Sequence, residues 1–168
     1  MAAHVFRFIE TWEIPDASVE EVYDVLARGE LLPAWWKGVY LEAEKLTPWA
    51  APQVGAKLRA KVRGFLPFVL NFVIEATELE PPRRVAVKTS GDLDGAWSAT
   101  LSRKDGGVRV DLVFEVTIER PGMRVLAPLL RPLFALNHYW TTPRGEKGLR
   151  AFVAARRRNA GREAEAPD

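Results

Sequence analysis

The 168-residue chain is expected to fold as one α+β domain in which an antiparallel sheet curves around a long C-terminal helix. Three observations predict this. From residue 121 to about 158, Leu126, Leu130, Leu133, Asn137, Trp140 and Arg144 recur at three- and four-residue steps, which places them on one face of a helix. Most of the preceding chain alternates with the two-residue period of half-buried strands. The C-terminal run is also too long and apolar to stand alone in water, so a broad surface must cover it, and the strands supply one.

Residues 4–14 alternate, with Phe6, Phe8, Glu10, Trp12 and Ile14 on one side and Arg7, Thr11 and Glu13 on the other. Pro15-Asp16 ends this first strand. Ser18 and Glu21 form a Ser-x-x-Glu capping box at the start of a helix whose apolar face is Val19, Val22, Val25 and Leu26. Gly29 is placed to end that helix in a left-handed conformation. A second short helix or turn follows over residues 30–36, with Pro33 in its first turn.

Six strands come next, at residues 39–46, 56–63, 68–80, 84–90, 94–102 and 108–119. A loop rich in Pro and Ala, carrying Trp49, separates the first two, and Pro81-Pro82 ends the third. The last two pair across Lys104-Asp105-Gly106-Gly107, a tight-hairpin signal. In the final strand Val108, Val110, Leu112, Phe114, Val116 and Ile118 fill one face, while Arg109, Asp111, Glu115 and Glu119 take the other. Pro128, Pro132 and Pro143 predict bends in the last helix, or a short segment ahead of the main one. The folded domain is expected to span residues 1–158, and the polar residues 159–168 a flexible tail.

Composition excludes several function classes. There is no cysteine, so disulfides, thiolate catalysis and cysteine-ligated zinc are out, and together with an N-terminus that lacks a signal-peptide pattern this points to a cytoplasmic location. The longest uncharged apolar windows, residues 65–74 and 132–143, fall short of the ~20 residues of a membrane span. The net charge is +2. Lys57, Arg59, Lys61 and Arg63 alternate with apolar residues as on the wet face of a strand, and Arg156–Arg158 end a helix where its dipole favours cations. No recognition motif accompanies them, so nucleic acid is not expected as a partner. Neither a metal nor another cofactor is called for: there is no His/Asp/Glu cluster, and Gly91 to Gly95 does not lead into a helix as a phosphate loop would.

Particular stretches carry a resemblance. Thr11-Trp12-Glu13-Ile14-Pro15, followed by Val19-Glu20-Glu21-Val22-Tyr23-Asp24-Val25-Leu26, then Leu31-Leu32-Pro33-Ala34-Trp35-Trp36, Glu80-Pro81-Pro82-Arg83-Arg84-Val85 and the end helix, resemble the START-like (SRPBCC) superfamily. That superfamily includes the polyketide cyclase/dehydrase and lipid-transport proteins and the major birch-pollen allergen. The resemblance covers nearly the whole chain up to about Arg158. It implies a helix-grip fold: a seven-stranded antiparallel sheet wrapped round a long C-terminal helix, with two short helices after the first strand. It also implies a small hydrophobic molecule, such as a lipid or polyketide, as partner.

The expected site is therefore a cavity between the sheet and the C-terminal helix, lined by Trp12, Trp35, Trp36, Phe72, Trp97, Asn137 and Trp140, large flat side chains with few polar handles. The same aromatics would equally build a solid core. Two residues have catalytic chemistry for a cyclase- or dehydratase-like alternative. His138 titrates near neutrality and could move a proton, although Asn137 and Trp140, not His138, follow the apolar stripe. Glu10 sits among Phe6, Phe8 and Trp12, where a carboxylate needs a partner, for which Arg144 or Arg63 are candidates. A third reading is docking of a protein or membrane surface on the basic strand face of Lys57, Arg59 and Lys61.

Overall fold

The computed structural model describes residues 4–65, 67, 69–118 and 121–165, apart from the side chains of residues 4, 118, 121–130 and 165. The elements run β1 (His4–Pro15), α1 (Val19–Leu26), a 3-10 turn (Gly29–Leu31), α2 (Leu32–Trp35), β2 (Tyr40–Lys45), β3 (Lys57–Arg63), β4 (Val69–Glu80), β5 (Arg84–Gly91), β6 (Asp94–Lys104), β7 (Gly107–Ile118) and α3 (Pro121–Glu165). The strands form one seven-stranded antiparallel sheet in the order β1-β7-β6-β5-β4-β3-β2. With two short helices after the first strand and a long helix at the end, this is the helix-grip fold. Phe68, expected to begin the third of the six strands, and the side chains of Leu126 and Leu130 lie outside the described residues.

Local chemistry sets each boundary. Ser18 Oγ accepts the Glu21 amide at 3.2 Å while Glu21 Oε2 accepts the Ser18 amide at 2.8 Å, so the capping box satisfies two free donors at the start of α1. Gly29 does not end α1 in a left-handed turn as expected. The helix closes at Ala27 in an ordinary right-handed conformation, and a Cβ on Gly29 would run into Leu58 Cδ2, so the end of that side chain would have to turn aside. In the β6–β7 hairpin Asp105 (φ 43°) and Gly106 (φ 80°) both adopt positive φ, the geometry a two-residue turn needs to match strand twist. Register shifts at Tyr40/Glu42 and Ala76/Glu78 interrupt β2 and β4, and such bulges bend a strand.

The inner face of β1 is the predicted one. Trp12 and Ile14 are buried and Phe6, Phe8 and Glu10 half-buried, against exposed Arg7, Thr11 and Glu13. Asn71, on the outer face of β4, is exposed. Its backbone is tied down instead, its amide donating to Asp92 Oδ2 at 2.8 Å. Trp12, Val22, Val25, Val85, Val110, Leu112 and Leu149 centre the main core, each such side chain contributing about 1.5–3 kcal/mol by leaving water.

The helix α3 is one element, with no separate first segment, and it differs from expectation in its length and its buried face. It is helical without a break through Pro128, Pro132 and Pro143, and residues 159–165 of the expected tail continue it as exposed helix. Its buried stripe is His138, Thr142, Gly145, Leu149 and Val153, one residue round from the Leu133–Asn137–Trp140–Arg144 line read from hydrophobicity. Leu133 and Arg144 are exposed. The helix turns its small residues inward because indole rings already fill the space: a Cβ on Gly145 would lie 2.6 Å from Trp36 and 2.7 Å from Trp12.

Candidate functional site

Two features occupy the inner side of the sheet: an apolar cavity and a histidine–carboxyl pair, with the ring of Phe114 shared between them. The cavity has a volume of about 140 Å³. Strands β3 to β7, α2 and the loop carrying Trp49 wall it, with Leu58, Phe72 and Ile74 on the sheet side and Trp35 and Trp36 opposite. Small residues at lining positions, Ala56, Ala76 and Ala96, leave the space open.

Of the seven residues expected to line a cavity, Trp35, Trp36, Phe72 and Trp97 do so and Trp12, Asn137 and Trp140 do not. Trp12, 1% exposed, is core: it meets Trp35 edge-on at 6.4 Å and Trp36 at 5.6 Å between ring centroids. Asn137 Oδ1 accepts the Phe65 amide at 2.9 Å, tying α3 to the segment after β3. Trp140 is half-buried beneath the guanidinium of Arg144, 3.7 Å from its ring centroid. Among the described residues α3 supplies none to the lining, and the side chains of residues 121–130, which include Leu126 and Leu130 of the expected stripe, lie outside them. Trp12 and Trp36 pack onto the helix at Gly145.

The lining is polar at few points. Trp36 Nε1 is engaged, donating to the Thr141 carbonyl at 3.0 Å. Trp35 Nε1 and Trp97 Nε1 are buried with no acceptor among the described residues. Burial pushes the Tyr40 hydroxyl well above the ordinary tyrosine value, so it keeps its proton. Tyr40 belongs to the aromatic set the sequence offers for a pocket but not to the seven lining residues expected, and Trp49 and Leu58 did not stand out as site residues. Their inward placement on β2 and β3 and next to the gap left by Ala56 was the available signal.

The second feature joins the two catalytic candidates. Glu10 Oε1 lies 2.9 Å from His138 Nε2, so the partner of Glu10 is His138 and neither Arg144 nor Arg63. His138 is 8% exposed, on the buried stripe of α3 and not offset from it. Its ring stacks on Phe8 (4.5 Å, 17°) and takes Phe114 edge-on (5.1 Å, 73°), and Thr142 Oγ1 stands 3.4 Å from either ring nitrogen. Burial, opposed by the hydrogen bond and charge of Glu10, holds the imidazole below its ordinary value of 6.5. With its proton on Nε2 the neutral ring donates to Glu10, a pairing able to pass a proton between a carboxyl and an imidazole.

The basic face of β3 is matched by carboxylates at three positions. Lys57 reaches Glu75 at 3.6 Å, Arg59 reaches Glu44 at 3.3 Å and Lys61 reaches Glu42 at 3.1 Å, so the cations on which surface docking was expected each face a carboxylate. Among the described residues no group of three or more His, Cys, Asp or Glu is placed to hold a metal ion, and no helix is long and apolar enough to cross a membrane.

The gripped helix, the curved sheet and the aromatic cavity between sheet and short helices define a START-like, helix-grip protein. Residues 15–139 match the model of the family described as polyketide cyclase / dehydrase and lipid transport, and the chain belongs to that family. Similar solved structures agree on the fold. The Zhui aromatase/cyclase from a Streptomyces species superposes with a TM-score of 0.74 at 15% identity, covering 94% of this chain and 99% of that one. A protein from Thermus thermophilus gives 0.71 at 19% identity, over 90% and 98% of the two chains. Norcoclaurine synthase from Thalictrum flavum, as a point mutant in complex with a transition state analogue, gives 0.64 at 12% identity, over 94% and 99%. No curated protein matches the chain by sequence.

Proposed function

We propose that the protein binds a small hydrophobic molecule in the cavity between its sheet and its short helices. The observation that carries this reading is the cavity itself: an apolar pocket of about 140 Å³, walled by indole and phenyl rings and reaching the surface beside exposed Gln53. Interiors are normally close-packed, and voids larger than a water molecule are few. An apolar cavity of roughly 150 Å³ stays dry and accepts a molecule the size of benzene. Membership of the polyketide cyclase / dehydrase and lipid transport family, and the likeness in fold to an aromatase/cyclase, support a ligand of hydrophobic and aromatic character. Calorimetric titration with ethylbenzene tests it: saturable one-to-one binding is expected, lost in Val87→Phe, which fills the lining. Absence of binding to the wild-type protein would remove the reading.

The Glu10–His138 contact at 2.9 Å favours a second reading, in which the same family fold acts as a cyclase- or dehydratase-like enzyme and the pair moves a proton. Phe114 both lines the cavity and contacts His138, so a ligand that displaced this ring would meet the imidazole. In that reading His138→Ala and Glu10→Gln each abolish turnover of a cyclisable polyketide-like substrate while ethylbenzene still binds. Turnover unaffected by either change would leave binding alone.

A further inference from the structure

Among the described residues that line the cavity only Gln53 is exposed, which sets its mouth at the loop between β2 and β3. Trp49, Pro52 and Ala56 of that loop share the lining with Ala27, Gly29 and Leu32 from the end of α1 and the short turn after it. One lysine ties the loop to the turn. Lys45, the last residue of β2, lies 3.2 Å from Glu30 Oε1 in the turn. The same ammonium donates to the Trp49 carbonyl at 3.2 Å and stands 4.6 Å from the centre of the Trp49 ring. Main-chain bonds fix the loop at its ends, Leu46 donating to the Lys57 carbonyl at 2.9 Å and Gly55 to the Ala76 carbonyl at 2.8 Å. Among the described residues no such bond holds residues 48–52. Trp49 packs against the cluster of Leu58, Phe72 and Ile74 that walls the cavity.

Resting on the reading that the cavity binds a ligand, we infer that Lys45 and Glu30 form a clasp that holds Trp49 over the mouth, and that a ligand enters and leaves when the clasp opens. A loop fixed at both ends and tied at one point between them swings on its ends once the tie is released, and loops of this kind gate many sites. The tie is of the right strength. An ion pair at the surface and a cation over an indole are each weak enough to open. The side chains of Lys45 and Glu30 are only 35% and 23% exposed, so solvent screens the pair less than a fully exposed one and the loop still rests closed. Neither residue lines the cavity. The clasp therefore sets how fast a ligand exchanges and leaves its fit unchanged, with association and dissociation moving together.

Fluorobenzene, a single ring, is the probe: its dissociation rate is read by 19F exchange NMR and its affinity by calorimetry. The proteins compared are the wild type, Lys45→Met, Glu30→Gln and Lys61→Met. Methionine keeps the length of the lysine side chain and removes its charge. Lys61, paired with Glu42 at 3.1 Å across the same two strands but outside the lining, serves as the control. Lys45→Met loses the ion pair, the carbonyl bond and the cation over the ring, and is expected to speed dissociation about 3- to 20-fold. Glu30→Gln loses the ion pair alone and should speed it about 2- to 5-fold. Kd is expected to stay within about two-fold in both, and Lys61→Met to leave the rate within about two-fold. A rate unchanged in Lys45→Met, one raised as much in Lys61→Met, or a Kd weakened by the same factor as dissociation is speeded overturns the clasp, while fluorobenzene binding keeps the cavity reading intact. Failure of fluorobenzene to bind the wild-type protein overturns both. Should the variants not fold, the wild-type protein decides. Salt screens the pair, so dissociation must quicken as ionic strength rises, and a rate independent of salt overturns the clasp.

Discussion

Glu10 on the first strand and His138 on the last helix, 128 residues apart in the chain, meet at 2.9 Å through Oε1 and Nε2. The contact joins the two ends of the fold. β1 lies at one edge of the sheet, and α3 is held to it by this pair and by Arg150, which donates to the Glu13 carbonyl at 2.5 Å. The imidazole is enclosed by Phe8 and Phe114, so its protonation is governed by burial on one side and by a single carboxyl on the other.

That balance predicts the titration of His138. Burial lowers its pKa from 6.5 and Glu10 partly restores it. Replacing Glu10 with Gln keeps a hydrogen-bonding side chain and removes the charge, so the His138 value is expected to fall further. Titration of the imidazole Cε1–H resonance by NMR checks both statements. A wild-type value above 6.5, or a higher value in Glu10→Gln than in the wild type, would contradict the geometry.

Stability should follow the same group with pH. The unfolded chain protonates this histidine near 6.5, and the folded protein only at lower pH. Between the two values the unfolded state binds more protons, so stability is fully present above 6.5 and declines as pH falls towards the folded value. Among the described residues the groups facing the ring are Glu10, Thr142, Phe8, Phe114 and Tyr139, and none of them is a cation. Denaturant midpoints at about pH 7.5 and about pH 5.5 are expected to differ more for the wild type than for His138→Gln, which has nothing to titrate there. Equal differences would assign the pH dependence to other groups.

The strands were legible because their inner and outer faces differ in kind. Phe6, Phe8, Trp12 and Ile14 against Arg7, Thr11 and Glu13 is a contrast that period-two reading detects, and the Ser18–Glu21 box and the Asp105-Gly106 turn carry their own local chemistry. The face of α3 was not legible. Its buried stripe consists of His138, Thr142 and Gly145 before it reaches Leu149 and Val153, and nothing in the first three marks an apolar face. What selects them is the bulk arriving from elsewhere, Trp12 from β1 and Trp36 beyond α2, and the sequence of a helix does not record the size of its neighbours. The same ignorance put Trp12 and Trp140 into the lining, which neither of them joins. It also made His138 look offset from a stripe to which it belongs.

The small residues of α3 can be tested against one another. Gly145→Ala places a Cβ 2.6 Å from Trp36 and 2.7 Å from Trp12, an overpacking expected to cost about 1–3 kcal/mol against a helix-propensity gain of about 1 kcal/mol. Gly148→Ala is expected to be worse, since its Cβ would run into the backbone carbonyl of Trp35, which cannot rotate away. Gly161→Ala should have the opposite sign. Nothing lies within 4 Å of a Cβ there, so only the helical preference for alanine remains, about 0.5–1 kcal/mol of stabilisation. Urea unfolding of the three variants gives the order directly, and a stabilising Gly145→Ala would contradict the packing of α3 on the tryptophans.

The stacked pair Trp35 and Trp36, 5.2 Å apart between centroids, separates the value of an engaged N–H from that of a free one. Both residues are buried and both line the cavity. Trp36→Phe removes the bond to the Thr141 carbonyl and with it one of the links between α2 and α3, a loss of about 0.5–1.5 kcal/mol beyond the change in ring size. Trp35→Phe removes an N–H that has no acceptor among the described residues, so beyond the same change in ring size it should be neutral or slightly favourable. Unfolding free energies of the two ligand-free variants are therefore expected to differ by about 1 kcal/mol, with Trp36→Phe the less stable.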